Sequence, residues 1–265
     1  MKVVSLNIEL NCRFDTVIPF LIREEADVIC LQEVLEEDVP MLSEKLGMNY
    51  EYKAFTYEWS DVPSHSEAYG KRYGVAIFSK HTMKSGYVFY TGSEETTSIP
   101  FEKYVERREE LESNVLVWAE ITDSEGEVFR FITTHFYVTH HGESSPRQLA
   151  TLPPFFAALD TFGEFILCGD FNAPRGNETF TKIKERYIDN IPLTYQTSID
   201  QNLHRVKGLM YMVDGLFTTP AYRTEDVALV DGVSDHMAIV ATIQPNNKKN
   251  TFSERLASLY RSMIQ

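Results

Sequence analysis

Apolar and polar positions follow two rhythms along this chain. Residues 2–6 ("KVVSL") read as a strand. Phe14, Val17, Ile18, Leu21 and Ile22 then recur at helical spacing, with Asp15 as cap and Pro19 tolerated only near the first turn. The run 26–34 ("ADVICLQEV") is a second, buried strand, and 36–46 a short helix. From 49 to 135 the helical rhythm fades. Residues 73–79, 85–90, 114–121 and 128–135 are β-rich and separated by turns, while 91–113 is polar: a long loop, or an excursion with a helix at 101–112. Helical spacing returns at about 145–160 and 177–187, among strands at 164–169, 209–218, 225–230 and 237–243. Strands and helices mix in both halves with no linker between them, so the expectation is one α/β domain over 1–245. The tail, 246–265, opens on the break "PNNKKN"; Thr251 or Ser253 caps a helix whose stripe of Leu256, Leu259, Tyr260 and Met263 packs back onto that domain.

Composition narrows the functions. A net charge of −14 and a pI near 5.0 repel phosphate backbones at long range and lower the expectation of sequence-independent nucleic-acid binding. A nuclease survives this argument, because a bound divalent metal and a local basic rim dominate at a cleft. Cys12, Cys30 and Cys168 are too few and too scattered for a disulfide framework or a zinc site. The N-terminus turns polar too quickly for a signal peptide, and no apolar run is long enough for a bilayer span. A soluble, reduced, cytoplasmic protein without membrane insertion is the expectation.

The strands share an unusual ending. Asn7 follows "VVSL", Glu33 follows "VICLQ", His135 follows "FITT", and Asp170 and Asn172 follow "FILCG". Asp214 interrupts "LMYMVDGLF", and Asp235 and His236 precede "MAIVATI". One polar strand end is ordinary; eight residues of compatible chemistry at six of them suggest a site beyond the strand ends, where α/β proteins place ligands. The types suit phosphate ester cleavage. Glu33 and Asn7 are hard oxygen donors of the kind Mg²⁺ prefers, with Mn²⁺ as the substitute. Asp170 is a candidate base or orienter for an attacking water, and Asn172 can donate to a phosphoryl oxygen. His135 and His236 suit the other oxygens, and either Asp235 or Asp214 can hold His236 in one tautomer. Whether Asp170 or His236 is the base stays open at this level.

In this order, "SLNIE", "CLQEV", "THF", "GDFN", "MVDGLF" and "SDHMAIV" resemble the motifs of the endonuclease/exonuclease/phosphatase superfamily, from residue 3 to about 243. The resemblance implies a deoxyribonuclease-like four-layer α/β-sandwich, two packed mixed β-sheets flanked by helices, and a metal-dependent phosphoesterase. It implies Glu33 as principal metal ligand with Asn7 and Asp235 close by, and Asp170 as the water-activating acid. It makes Asn172 the transition-state amide, His236 the phosphate-binding histidine partnered by Asp214, and His135 a second phosphate contact. The chain departs from the pattern at Leu6, where relatives carry an aromatic, at "THF" for the commoner "THL", and in lacking a proline two places after His236.

Substrate choice is expected from the surroundings. The loop 55–74 is rich in aromatics and ends in Lys71, Arg72 and Tyr73, of which Arg72 and Tyr73 are candidate substrate contacts. Arg205 and Lys207, beside His204, form a further basic cluster suited to an anionic substrate. Arg107 and Arg108 read as ion-paired on a helix, Arg147 and Gln148 as structural, and His140 and His141 as a solvated loop. The leading function is a phosphodiesterase, nuclease-like or acting on a phosphodiester adduct, with nucleic acid a possible partner. A phosphomonoesterase or lipid/inositol-headgroup phosphatase is the alternative, and a catalytically silent interaction module the third reading.

Overall fold

A computed structural model describes residues 1–111, 113–139 and 142–246. The tail helix expected beyond residue 246, and His140 and His141, lie outside the described residues. The chain runs β1 (Lys2–Asn7), α1 (Phe14–Glu24), β2 (Val28–Leu35), α2 (Val39–Leu46), β3 (Asn49–Tyr57), β4 (Arg72–Ser79), β5 (Met83–Thr91), α3 (Glu95–Ser98) and α4 (Phe101–Leu111). It continues through β6 (Asn114–Thr122), β7 (Val128–His135), α5 (Pro146–Asp160), β8 (Ile166–Asp170), α6 (Glu178–Lys184), β9 (Ile188–Asp189), β10 (Asp214–Thr218), β11 (Tyr222–Val230) and β12 (Ala238–Pro245).

Two six-stranded mixed sheets form, in the orders β11-β12-β1-β2-β4-β3 and β5-β6-β7-β8-β10-β9. Strand alternation explains how they stack. In β1 and β2, Val3, Val28 and Cys30 point to the layer between the sheets, where they meet Phe131, Ile166 and Cys168 of the second sheet. Their neighbours Val4, Ile29 and Leu31 point outward and are covered by Val17, Phe20 and Leu21 of α1 and Leu42 of α2. On the far side Leu116, Ile132, Leu167 and Phe217 are covered by Phe155 and Leu159 of α5 and Phe180 and Ile183 of α6. The result is the expected four-layer sandwich. Strands buried on both faces have no polar alternation, which is why they read as continuous apolar runs.

Three local expectations change. Asp15 is not the cap of α1; Arg13 occupies that place and Asp15 lies in the first turn. Pro19 sits inside α1 on its exposed face, where water can satisfy the carbonyl that proline leaves without a donor. Residues 49–57 form β3, an edge strand, so the loop between β3 and β4 is shorter than 55–74. The polar stretch 91–113 does carry a helix: α4 packs Tyr104 on Tyr57, whose hydroxyl donates to the Ile99 carbonyl at 2.7 Å.

Candidate functional site

The same alternation that builds the inter-sheet core builds the site. Continuing the inward phase of β1 from Val3 leads to Ser5 and Asn7; in β7, Phe131 leads to Thr133 and His135; in β8, Ile166 and Cys168 lead to Asp170. The apolar layer thus gives way first to a polar one, in which Gln32 Nε2 of one sheet donates to Thr133 Oγ1 of the other at 2.9 Å. Above it lie the functional groups. His135 stands opposite Asp170 in the parallel register of β7 and β8, and Asp214 opposite Asp170 in the antiparallel register of β8 and β10. Asn7 closes the gap between the sheets: its Nδ2 donates to Asp170 Oδ2 at 3.0 Å and to Glu33 Oε1 at 2.9 Å.

Glu33 breaks the alternation, since Gln32 takes the inward position. The pairing of β2 with β4 shifts between Leu31 and Val34, and Glu33 adopts a left-handed φ of 55°. A bulge of this kind re-aims one side chain without moving the strand. Asn172, just past β8, also has a left-handed φ, 48°. Such conformations cost a non-glycine residue about 1–3 kcal/mol, and they concentrate where function fixes a geometry. Gly169 is required for the opposite reason. A Cβ there would stand 2.5 Å from the Thr134 carbonyl oxygen, so only glycine lets β8 run flush with β7 and deliver Asp170. Phe171 turns away from the site and packs on Phe136 and Phe217.

Asp170 is buried and accepts from the Asn172 backbone N–H through Oδ1 at 2.8 Å. Burial and the Asp214 charge raise its pKa, with His236 and His135 opposing. Burial would lower the His236 pKa, but the charges of Asp214 and Asp170 and the 2.8 Å Nδ1–Asp214 Oδ2 hydrogen bond hold it well above the ordinary value. His135 shifts the same way: burial opposes the rise, and Glu33, with its Oε1 3.3 Å from Nε2, and Asp170 drive it. Asp214, not Asp235, is therefore the carboxylate that holds the His236 ring. Burial would raise Glu33; His135, Asn7 and His236 outweigh it and hold the carboxyl at about 2. Burial pushes Asp235 up to about 7, His236 opposing and Glu33 and Glu9 adding to it.

Glu33, His135 and Asp170 bring ligand atoms within 4.8 Å of one another, as do Asp170, Asp214 and His236. Asp235 belongs to no such trio among the described residues. Asn7 presents its amide nitrogen to the carboxylates, while its oxygen accepts the Glu9 N–H at 3.1 Å. Asn172 Nδ2 donates to the Phe136 carbonyl at 2.9 Å and lies 3.4 Å from His135 Nε2.

Two cavities open from these groups. One, of about 310 Å³, includes His135, Phe55, Trp59, Tyr73, Tyr137 and Arg147 in its wall; the other, of about 540 Å³, includes Asn172, His236, Ile199, Leu209, His204 and Arg205. Of the expected substrate contacts, Tyr73 lies in the wall of the first cavity and Arg205 in the wall of the second, and Arg72 and Lys207 line neither. Arg72 pairs with Glu36 and donates to the Thr97 carbonyl at 3.2 Å, and Lys207 donates to the Asn202 carbonyl at 2.6 Å. Gln148 is structural as expected, donating to the Tyr137 and Asn172 carbonyls at 3.2 Å each. Trp59 falls in the loop expected to supply substrate contacts, and Arg108 and Arg147, read as ion-paired and structural, line the first cavity with it. The aromatic richness of the loop was the available signal.

No curated protein sequence matches the chain. Several solved structures resemble it in fold. The human Nocturnin catalytic domain with bound sulfate is 17% identical, with 93% of each chain covered and a TM-score of 0.68. A mannosyl-6-phosphatase of Bacteroides thetaiotaomicron is 13% identical over 92% of this chain and 99% of that one, with a TM-score of 0.65. ANGEL2, a 2′,3′-cyclic phosphatase in complex with adenosine-2′,3′-vanadate, is 17% identical over 91% and 94%, with a TM-score of 0.62. The sequence profile of the Endonuclease/Exonuclease/phosphatase family matches residues 4–236. With that span enclosing every motif from Asn7 to His236, the chain belongs to the endonuclease/exonuclease/phosphatase family and is a phosphoric ester hydrolase.

Proposed function

We infer that this chain is a divalent-metal-dependent phosphodiesterase. One observation supports the choice of diester: the candidate groups border two cavities, with His135 in the wall of one and Asn172 and His236 in the wall of the other. A phosphodiester has a substituent on each side of phosphorus, and each cavity accommodates one. A monoester would leave one of them unused.

The donor set fits a hard divalent cation. Glu33 is ionised at any working pH, and its charge, with that of Glu9, adds to the burial that raises Asp235. Mg²⁺ or Mn²⁺ would be held by Glu33, with Asp235 and, were its amide turned from Glu33 Oε1, the Asn7 oxygen as further donors. When bound, such an ion supplies Lewis-acid stabilisation of charge on a phosphoryl oxygen. The chain's own residues do the rest. Asp170, a carboxylate whose proton affinity is raised by burial, orients a water and takes its proton. His236, kept protonated and fixed by Asp214, donates to a phosphoryl oxygen as charge grows there. Asn172 and His135 offer further donors on the same side. Because Asn7 anchors both Glu33 and Asp170, it sets the spacing between the metal-binding and water-activating carboxylates.

The reading is tested by comparing bis-p-nitrophenyl phosphate with p-nitrophenyl phosphate in Mg²⁺ and in Mn²⁺. A kcat/KM at least about tenfold higher for the diester is expected. A preference for the monoester would favour the phosphatase reading, which the resemblance in fold to the mannosyl-6-phosphatase keeps in view.

A further inference from the structure

Between β9 and β10 the chain runs through residues 190–213 without a helix or a strand. A connection of that length inside a compact domain usually serves a function. Its second half is firmly built. The buried Asp200 carboxylate accepts the N–H groups of Asn202 at 2.8 Å, Leu203 at 2.9 Å and Gly232 at 2.6 Å. Ser198 Oγ accepts those of Val213 at 3.0 Å and Asp214 at 3.1 Å, and Gln201 Nε2 donates across to the Leu209 carbonyl at 2.8 Å. Two backbone bonds then tie the segment to either side of His236. The Asp200 N–H donates to the Asp235 carbonyl at 2.8 Å, and the Met237 N–H to the Ser198 carbonyl at 2.7 Å, which sets Ile199 opposite His236.

The face this segment turns to the reacting centre is aliphatic. Ile199, Val206, Leu209 and Val213, with Val138 from beyond β7, stand in the wall of the cavity of about 540 Å³, and no carboxylate does among the described residues. Three polar side chains of the same wall are engaged elsewhere. Asn172 Nδ2 donates to the Phe136 carbonyl, His236 is held by Asp214, and His204 Nδ1 lies 3.1 Å from both the N–H and the carbonyl of Val206. Burial lowers the His204 pKa, the Val206 contact opposing and the charges of His236 and Arg205 adding to the fall, so this ring is neutral at pH 7. Val138 is 75% exposed and Val206 51%. Aliphatic side chains are thus held in water on a preformed wall beside His236, where covering them with an apolar group is favourable.

We propose that residues 198–213, with Val138, form an aliphatic subsite, which receives an alkyl group carried by the phosphate substituent on the His236 side. The placement of the phosphate rests on the phosphodiesterase reading above; the apolar subsite itself does not. The preferred substrate is then a phosphodiester with one aliphatic substituent, selected by the area it removes from water. Selection of this kind suits a chain of net charge −14, since it needs no cationic surface.

The probes are methyl, butyl and hexyl p-nitrophenyl phosphate, followed by nitrophenolate release with Mg²⁺. A methylene taken fully out of water contributes about fourfold and one half covered about twofold, so kcat/KM for the hexyl ester should exceed that for the methyl ester about 30-fold or more, chiefly through KM. Val206 and Leu209 line this cavity and not the one beside His135. Val206→Thr and Leu209→Asn should therefore each reduce the hexyl-to-methyl ratio several-fold, and the double variant more than either. Threonine is nearly the shape of valine and Val206 is exposed, so a thermal midpoint within about 2 °C of the parent is expected for Val206→Thr. A wild-type ratio near one overturns the proposal. So does a large ratio that neither variant changes, since the alkyl group would then lie in the other cavity. If no ester is cleaved, the phosphodiesterase reading fails, and the subsite is judged by calorimetry with hexyl phosphate and methyl phosphate. Hexyl phosphate binding about tenfold tighter or more, with the difference reduced in the double variant, supports it. Equal binding refutes it.

Discussion

His65, held between two carboxylates, braces the wall of the cavity beside His135, and raising the pH should release it. It ends a short turn, Pro63–His65, and stands between two buried carboxylates, with Nε2 3.7 Å from Glu9 Oε1 and Nδ1 3.6 Å from Glu58 Oε1. Glu58 also accepts the Ser60 N–H at 2.8 Å, so the brace encloses Trp59, the ring on which Arg108 lies. The polar contacts with Glu58 and Glu9 raise His65 from 6.5 to about 9, burial opposing and the charges of Glu58 and Glu33 adding to the rise. A histidine whose folded pKa lies above its unfolded value contributes stability that is complete below 6.5 and disappears as pH rises through 9. The 2.5-unit difference sets a ceiling of about 3 kcal/mol, and hydration of a side chain that is 14% exposed reduces this to about 1–2 kcal/mol. Urea unfolding of the wild type and His65→Gln should differ by that amount at pH 6 and by less than about 0.5 kcal/mol at pH 10. A gap independent of pH, or an imidazole NMR titration centred near 6.5, would refute the reasoning.

Two further perturbations probe the site's scaffold and its metal. Gly169→Ala places a methyl group 2.5 Å from the Thr134 carbonyl oxygen; overpacking of this kind costs about 1–3 kcal/mol and should lower the thermal midpoint by about 2–10 °C. An unchanged midpoint would mean that β7 and β8 separate freely. Glu33→Gln keeps the shape and removes the charge, so Mn²⁺ affinity measured by calorimetry should fall about 10-fold or more; unchanged affinity would remove Glu33 from the ligand set.

Much of the site was legible because strand alternation and the site share one cause. Asn7, His135 and Asp170 continue the inward phase of strands already recognisable by their apolar runs, so locating the strands located these side chains. Glu33 was legible only through its motif: alternation alone puts Gln32 inward, and the bulge that exchanges them is set by the pairing of β2 with β4. The edge strand β3 was missed because its sequence, "NYEYKAFTY", mixes charged and aromatic residues as a half-exposed strand does. Arg108 was read with Arg107 as a helical ion pair. Its true neighbour, Trp59, lies 49 positions away and comes close only when α4 packs on β3. The partners of Arg72 were hidden in the same way, since Glu36 and the Thr97 carbonyl reach it only through tertiary contact.

If Asp170 activates water for metal-dependent ester cleavage, replacing its carboxylate by an amide removes the activity. In Asp170→Asn the new side chain can offer its single oxygen to the Asn172 N–H or to Asn7 Nδ2, but not to both, and it loses proton affinity while retaining its shape. Turnover of bis-p-nitrophenyl phosphate should be measured with Mg²⁺ and with EDTA, for the wild type and for this variant. Hydrolysis by the wild type is expected only with metal, and kcat should be about 10²- to 10⁴-fold lower in Asp170→Asn. Metal-dependent turnover by the variant within about threefold of the wild type would contradict it.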